Sequence, residues 1–263
     1  MHFSLLAPAV ALLALLPSLS LGFANPLACT GTCTNTHDPA IIRRTSDARY
    51  YRFATGAQIS IFSSPHLTGP WTGLGNVLPA AGSSISNSGS KDAWAPDVHY
   101  DAAQGLYILY YAVSQFGTQI SVIGVATSKT MDAGTWTDHG STGVSSKTGD
   151  LFNAIDGNFI SVGGVSYLTF GSFWGDIFQT KLSTNGLTKV ASATPYQLEL
   201  NATLPRPSEG SFVYKNGNYY YLFFSSGSCC GYDTTRPPKG SEYKIMVCRS
   251  SSVSGGYVSI SPL

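Results

Sequence analysis

Short runs of apolar and aromatic residues alternate along this chain with clusters of Gly, Ser, Asn and Pro. No stretch of useful length repeats apolar positions at the period of a helix. The runs are rich in Tyr, Val, Ile, Phe and Thr, and they recur in step. One aromatic run returns as Tyr50-Tyr51-Arg52-Phe53-Ala54, Tyr107-Ile108-Leu109-Tyr110-Tyr111-Ala112, Tyr167-Leu168-Thr169-Phe170 and Tyr219-Tyr220-Tyr221-Leu222-Phe223-Phe224. Another ends in Ser and leads to a Gly and an aromatic: residues 59–63 before Trp71, 123–128 before Trp136, and 245–250 before Tyr257. Ahead of each aromatic run stands an apolar stretch opened by a carboxylate, at Asp38, Asp97, Asp156 and Glu209, spaced by about 59, 59 and 53 residues. Four strands repeated at a fixed period predict an all-β fold, and a β-propeller rather than a sandwich. With the carboxylate strand innermost in every blade, equivalent positions ring the axis. A repeat of about 60 residues divides the chain into four blades. Because a propeller closes to protect its sheet edges, the expectation is a four-bladed ring or a ring whose last blade is incomplete.

The opening residues stand apart from this pattern. Residues 5–21 are apolar, interrupted by Pro8 and Pro17, and lead to Gly22-Phe23-Ala24, which places small residues where a leader is cut. Residues 1–24 are therefore expected to be a signal peptide and residues 25–263 the propeller domain. The chain of 263 residues carries 15 Lys and Arg against 14 Asp and Glu. A balance so close to neutral argues against nucleic acid and acidic polymers as partners, and leaves neutral carbohydrate compatible. The five cysteines, Cys29, Cys33, Cys229, Cys230 and Cys248, would be oxidised in an exported protein and leave one over, with their pairing open. No Cys or His pair has the spacing of a zinc finger. Asn201-Ala202-Thr203 is a glycosylation sequon, expected on a surface loop.

Carboxylates at strand mouths suit glycoside hydrolysis. That reaction needs a proton donor and a base or nucleophile flanking the scissile bond, and a third acidic group beside the donor raises its pKa. Asp38, Asp156 and Glu209 meet those needs, and Glu209 is one of only three Glu in the chain. Asp beside Pro or Gly is also ordinary turn chemistry. Asp97 is the weakest of the four, and could simply anchor a loop. Trp94 and Trp174 can stack on sugar or pack in a core.

Five motifs in order carry a resemblance over essentially the whole chain beyond residue 24. They are Asn35-Thr36-His37-Asp38-Pro39, Trp94-Ala95-Pro96-Asp97-Val98, Asn153-Ala154-Ile155-Asp156-Gly157, Gly171-Ser172-Phe173-Trp174 and Arg206-Pro207-Ser208-Glu209-Gly210. With them the chain resembles the secreted endo-1,5-α-L-arabinanases of glycoside hydrolase family 43, the fungal ones especially. The resemblance implies a five-bladed β-propeller, whose last blade is then incomplete in this chain. It implies inverting hydrolysis of internal α-1,5 bonds in arabinan, with Asp38 as general base and Glu209 as general acid. Asp156 would raise the pKa of Glu209 and orient it and the substrate. Base and acid would stand about 6.5–9.5 Å apart, leaving room for a water. Asn153, Ser172, Phe173 and Trp174 match positions that contact the sugar, and Trp94, Phe116 and Gly117 are expected to line the same cleft. The family carries a metal in the central channel, usually calcium with water, and takes a His from a later segment; no His follows His139 here. The implied protein is a secreted, extracellular monomer acting on arabinan, without membrane or nucleic-acid partners. The rivals are an exo-acting arabinofuranosidase or xylosidase of the same fold, and an inactive carbohydrate-binding relative.

Overall fold

The computed structural model describes residues 25–260 apart from 57, 88 and 90, so the leader reading of residues 1–24 lies outside the described residues. Four antiparallel sheets of four strands each follow one another, and within each sheet the strands pair in chain order. The first blade holds β1 (Ala40–Arg43), β2 (Tyr50–Ala54), β3 (Ser60–Ser64) and β4 (Thr72–Asn76). The second holds β5 (Ala93–Asp101), β6 (Leu106–Ser114), β7 (Ser121–Ser128) and β8 (Thr137–Ser146). The third holds β9 (Asn158–Val162), β10 (Val165–Phe170), β11 (Ile177–Leu182) and β12 (Tyr196–Glu199). The fourth holds β13 (Ser208–Asn216), β14 (Tyr219–Ser226), β15 (Lys244–Ser250) and β16 (Val258–Ser259). Successive blades meet through their first strands, β1 against β5, β5 against β9 and β9 against β13. This is the propeller arrangement, with the carboxylate-bearing strand innermost.

The aromatic runs are the second strands, and in the two inner blades their composition follows from being sandwiched. Successive side chains of a strand point to opposite faces. On β6, Tyr107, Leu109, Tyr111 and Val113 enter the core shared with the first blade, while Ile108 and Tyr110 enter the core shared with the third. Both faces are dry, so the strand is continuously apolar instead of alternating. Each such side chain taken fully from water stabilises the fold by about 1.5–3 kcal/mol. A third core lies between blades three and four, where Tyr220, Leu222 and Phe224 of β14 meet Tyr167 and Ile177.

The recurring Ser after the third strand caps a corner. The hydroxyl of Ser64, one residue beyond the Ser63 of the sequence pattern, accepts the backbone N–H of His66, Ser128 accepts Thr130 and Met131, and Ser250 accepts Ser252, turning the chain toward the outer strand. The third blade uses a Ser differently, to close a longer turn, and the aromatic is replaced. Ser183 accepts the N–H of Thr188, and Leu187 packs where the other blades place Trp or Tyr.

The two outward-facing blades differ. Below the first blade, Arg52 is buried, stacks on Phe62 and Trp71, and donates to the carbonyl of Thr32. The strip that supplies this carbonyl is closed by a Cys29–Cys33 disulfide, and Cys229, Cys230 and Cys248 are free thiols. On the fourth blade, the face away from blade three leaves Phe212, Tyr214, Tyr219 and Ile245 exposed, Ile245 at 80%.

Candidate active site

Every blade opens with a residue in the left-handed backbone region: Asp38 (φ 48°), Ala95 (48°), Asp156 (57°) and Gly210 (62°). Only the last is a glycine, and such strain in non-glycine residues clusters at functional sites. At the first mouth, pairing of Ala40 with Phe53 continues outward and sets Thr55 opposite Asp38. The Thr55 hydroxyl donates to Asp38 Oδ2 at 2.6 Å and accepts the backbone N–H of Ala95 at 2.8 Å, tying the first carboxylate to the second blade. His37 Nε2 stands 3.3 Å from the other oxygen of Asp38.

At the second mouth a bulge between Trp94 and Asp97 inserts a residue into β5. The left-handed position falls on Ala95, and Asp97 lies further along the strand. Asp97 bonds the His99 ring at 2.6 Å and accepts the Phe159 N–H at 2.8 Å and the Asn158 amide at 3.2 Å. It therefore stitches blade two to blade three. The loop-anchoring reading of Asp97 is close to what the structure shows, and an in-register ring of four carboxylates is not formed.

The other two acids lie together. Asp156 Oδ2 accepts the backbone N–H of Gly210, the residue after Glu209, at 3.0 Å. Protein atoms surround this carboxyl although one edge stays accessible. Burial, then the charges of Glu209 and Asp38, push its pKa well above the usual carboxylate range. Glu209 sits where a bulge between Glu209 and Phe212 bends β13. Its Oε2 accepts the Ser172 hydroxyl at 2.7 Å and its Oε1 accepts the Tyr243 phenol at 3.0 Å. The carboxylates of blades one, three and four are thus close enough to feel one another, and the effect falls on Asp156, the most enclosed of the three.

Around them lie the remaining expected residues. The Asn153 carbonyl oxygen accepts from Ser121 at 2.7 Å, which fixes the amide and leaves its NH2 for the cleft. The loop after β10 holds Ser172 buried, with Phe173, Trp174 and Asp176 all at positive φ. Arg206 Nη1 braces this loop through the Trp174 carbonyl at 2.8 Å. Trp94 and Phe116 meet edge to face with centroids 6.3 Å apart, and Gly117 turns beside them at φ 74°. Phe116 is 86% exposed and Trp174 38%, so both offer free ring faces, as sugar stacking requires. One cavity of about 2140 Å³ is lined by all ten of these residues: Asp38, Trp94, Phe116, Gly117, Asn153, Asp156, Ser172, Phe173, Trp174 and Glu209. That is larger than an ordinary ligand pocket of about 300–1,000 Å³. The excess arises because the cavity runs on between Ile41 of blade one and Phe212, Phe223 and Ile245 of blade four.

Thr55 and Tyr243 escaped the sequence reading, as did the placing of Cys229 and Cys230 in the cleft wall. Burial and the adjoining Cys230 push the Cys229 thiol up to about 12. Among the described residues no group of three or more His, Cys, Asp or Glu gathers to hold a metal ion. Near the axis, Asp97 is already engaged with His99, Asn158 and Phe159. Among the described residues, the side chains near the axis do not fit the calcium expected in the channel.

The Glycosyl hydrolases family 43 pattern matches residues 32–261. The chain is 54% identical over 244 residues to arabinan endo-1,5-alpha-L-arabinosidase A of Aspergillus aculeatus, covering 93% of this chain and 74% of that protein. To the Aspergillus niger protein of the same name it is 51% identical over 249 residues, covering 95% and 76%. Among solved structures, the GH43 endo-arabinanase from Bacillus licheniformis superposes with a TM-score of 0.73 at 31% identity, covering 88% of this chain and 77% of that one. An exo-1,5-alpha-L-arabinanase from a bovine ruminal metagenomic library superposes at 0.72 with 30% identity, covering 86% and 74%. A pattern spanning most of the chain, and relatives so similar over nine tenths of it, leave one conclusion: the chain belongs to glycosyl hydrolases family 43.

Proposed function

We propose that this glycoside hydrolase cuts internal α-1,5 bonds of arabinan, the side-chain polysaccharide of pectin, with inversion. Asp38 takes a proton from a water that adds to the anomeric carbon. Glu209 gives its proton to the departing oxygen as the glycosidic bond breaks. One water is consumed, two sugar ends are released, and solvent returns both carboxyls to their starting states. Asp156, pinned by Gly210 N–H, limits the charge of the pair and orients Glu209. Trp94, Phe116, Phe173 and Trp174 supply apolar faces, while Asn153, Ser172 and Gly117 shape the polar side of the groove. The observation that carries this reading is the meeting of three acids from separate blades in one cleft lined by exposed aromatic rings.

The activity named for the Aspergillus relatives supports endo over exo action. Linear arabinan is the test substrate. Oligosaccharides should appear before monomer, and Asp38→Ala and Glu209→Ala should each abolish cleavage without unfolding the protein. Early release of a single short product would favour the exo reading, and near wild-type activity of Glu209→Ala would remove the acid assignment.

We also propose a five-bladed ring as the complete architecture. The exposed apolar face of blade four supports it, as does the absence, among the described residues, of any first-blade strand packed against blade four as neighbouring blades pack. Export as a monomer is proposed on the leader pattern of residues 1–24 and on the Cys29–Cys33 disulfide, which suits an oxidising compartment.

A further inference from the structure

We propose that Tyr243 is a positioning residue for Glu209, held by the loop 227–243 so that its phenol supports the carboxylate as the proton leaves it. The inference rests on Glu209 being the general acid.

Blade four departs from the others between its second and third strands. Where the others turn tightly, residues 227–243 intervene between β14 and β15. Structureless connections of this length inside a compact domain are usually functional. The excursion is closed at its base. Gly227 N–H donates to Pro207 O at 3.0 Å, Ser228 N–H donates to Ser241 O at 2.9 Å, and Ser228 bridges Glu242. Gly227 has φ 119°, and a Cβ there would stand 2.0 Å from the Glu242 carbonyl, so only glycine allows the two arms to meet. Within the loop, Tyr232 O–H donates to Ser228 O at 2.7 Å and accepts the backbone N–H of Tyr243 at 2.6 Å. These contacts fix the residue that touches Glu209. Ser225, opposite Glu209 in the β13–β14 pairing, lies beside the same phenol.

The chemistry explains why such a donor is useful. A general acid begins neutral and ends as an anion, so groups that bind the anion better lower the barrier to proton transfer. The hydroxyls of Ser172 and Tyr243 donate one to each oxygen of Glu209, along directions already set before substrate arrives. When a polysaccharide displaces water from the cleft, fixed donors of this kind replace the lost solvation without rearranging. Tyr243 is also a dependable donor, because burial and the Glu209 charge hold its phenol above the ordinary range. The other titratable groups facing Glu209 are Asp156 and Asp38 from blades three and one and Cys229 from the loop itself; none of these is placed to donate to Glu209 Oε1.

The test compares two leaving groups. Linear arabinan departs as a poor alkoxide and needs full protonation. A nitrophenyl glycoside of an α-1,5-linked arabino-oligosaccharide departs as a stable phenolate and needs little. A hydrogen bond to a charged acceptor is worth enough to predict that Tyr243→Phe lowers kcat on linear arabinan by about 10- to 100-fold, with KM almost unchanged. On the nitrophenyl substrate the loss should stay within about threefold. The ring is retained and is half-exposed, so the variant should melt as the wild type does. Equal losses on both substrates, or a loss confined to KM, would mean Tyr243 merely shapes the cleft, and the inference would fall. Glu209→Ala run in parallel separates the two claims. If Glu209→Ala also loses both activities equally, the acid assignment itself fails; if it spares the nitrophenyl substrate while Tyr243→Phe does not, only the Tyr243 role fails.

Discussion

Thr55→Val isolates the link that holds the proposed base. The substitution keeps the branched shape and removes only the hydroxyl, which currently donates to Asp38 and accepts from Ala95 N–H. Two effects follow. The Ala95 amide loses its acceptor at a half-buried position, worth about 1 kcal/mol. Asp38 loses a charge-assisted donor, nominally about 1.5–3 kcal/mol, but its side chain is 37% exposed and water can replace most of that. A total destabilisation of about 1–2 kcal/mol results, which for a domain of this size lowers Tm by about 2–8 °C. Water can solvate Asp38 but cannot aim it, so turnover should suffer more than stability. A base misdirected by a fraction of an ångström costs roughly tenfold or more in kcat. Initial rates on linear arabinan and thermal melts at one pH measure both quantities. Thr55→Ser restores the hydroxyl and should recover most of each. If the Val variant turns over within twofold of wild type, or if Ser is no better than Val, the cross-blade link does not orient Asp38.

Two further outcomes follow from other parts of the molecule. Burial, with Asp176 adding its charge, pushes Glu199 up to about 7, and burial pushes Asp176 up to about 6. The folded protein then holds protons that the unfolded chain has lost, so stability should fall as pH rises from about 4 to about 7. Glu199→Gln should flatten that slope in urea melts and gain about 1–2 kcal/mol at pH 8, a figure discounted because water reaches part of the side chain; an unchanged slope would place the protons elsewhere. The ring proposal predicts that a fifth blade from an Aspergillus relative, joined after residue 260, covers Phe212, Tyr214 and Ile245. At about 1.5–3 kcal/mol for each side chain buried, Tm should rise by roughly 6 °C or more, and an equal Tm would count against the ring.

What the sequence disclosed, and what it hid, follows from how each feature is encoded. The blades were legible because β6 and β10 lie between packed sheets, where a strand dry on both faces writes an unbroken apolar run, and β2 and β14 carry the same kind of run with one face turned outward. The third blade's outer corner was not, because Leu187 fills the place of Trp71, Trp136 and Tyr257; the physical requirement there is apolar volume beside a capping Ser, and an aromatic is only one way to meet it. Asp97 misled for a related reason. Counting residues puts it in the ring, but one inserted residue at the bulge shifts every later side chain, and composition does not record a bulge except through the Pro96 that tolerates it. Asp38, Asp156 and Glu209 were legible as acids beside turn residues. Thr55 was recoverable in principle, by carrying the strand pairing one step beyond Ala40 and Phe53. Tyr243 was not, since it reaches Glu209 from 34 residues away through a loop with no repeat in the other blades. The repeat therefore tells where charges converge, while the departures from the repeat, at the 227–243 loop and the two bulges, decide which of those charges can act as an acid or a base.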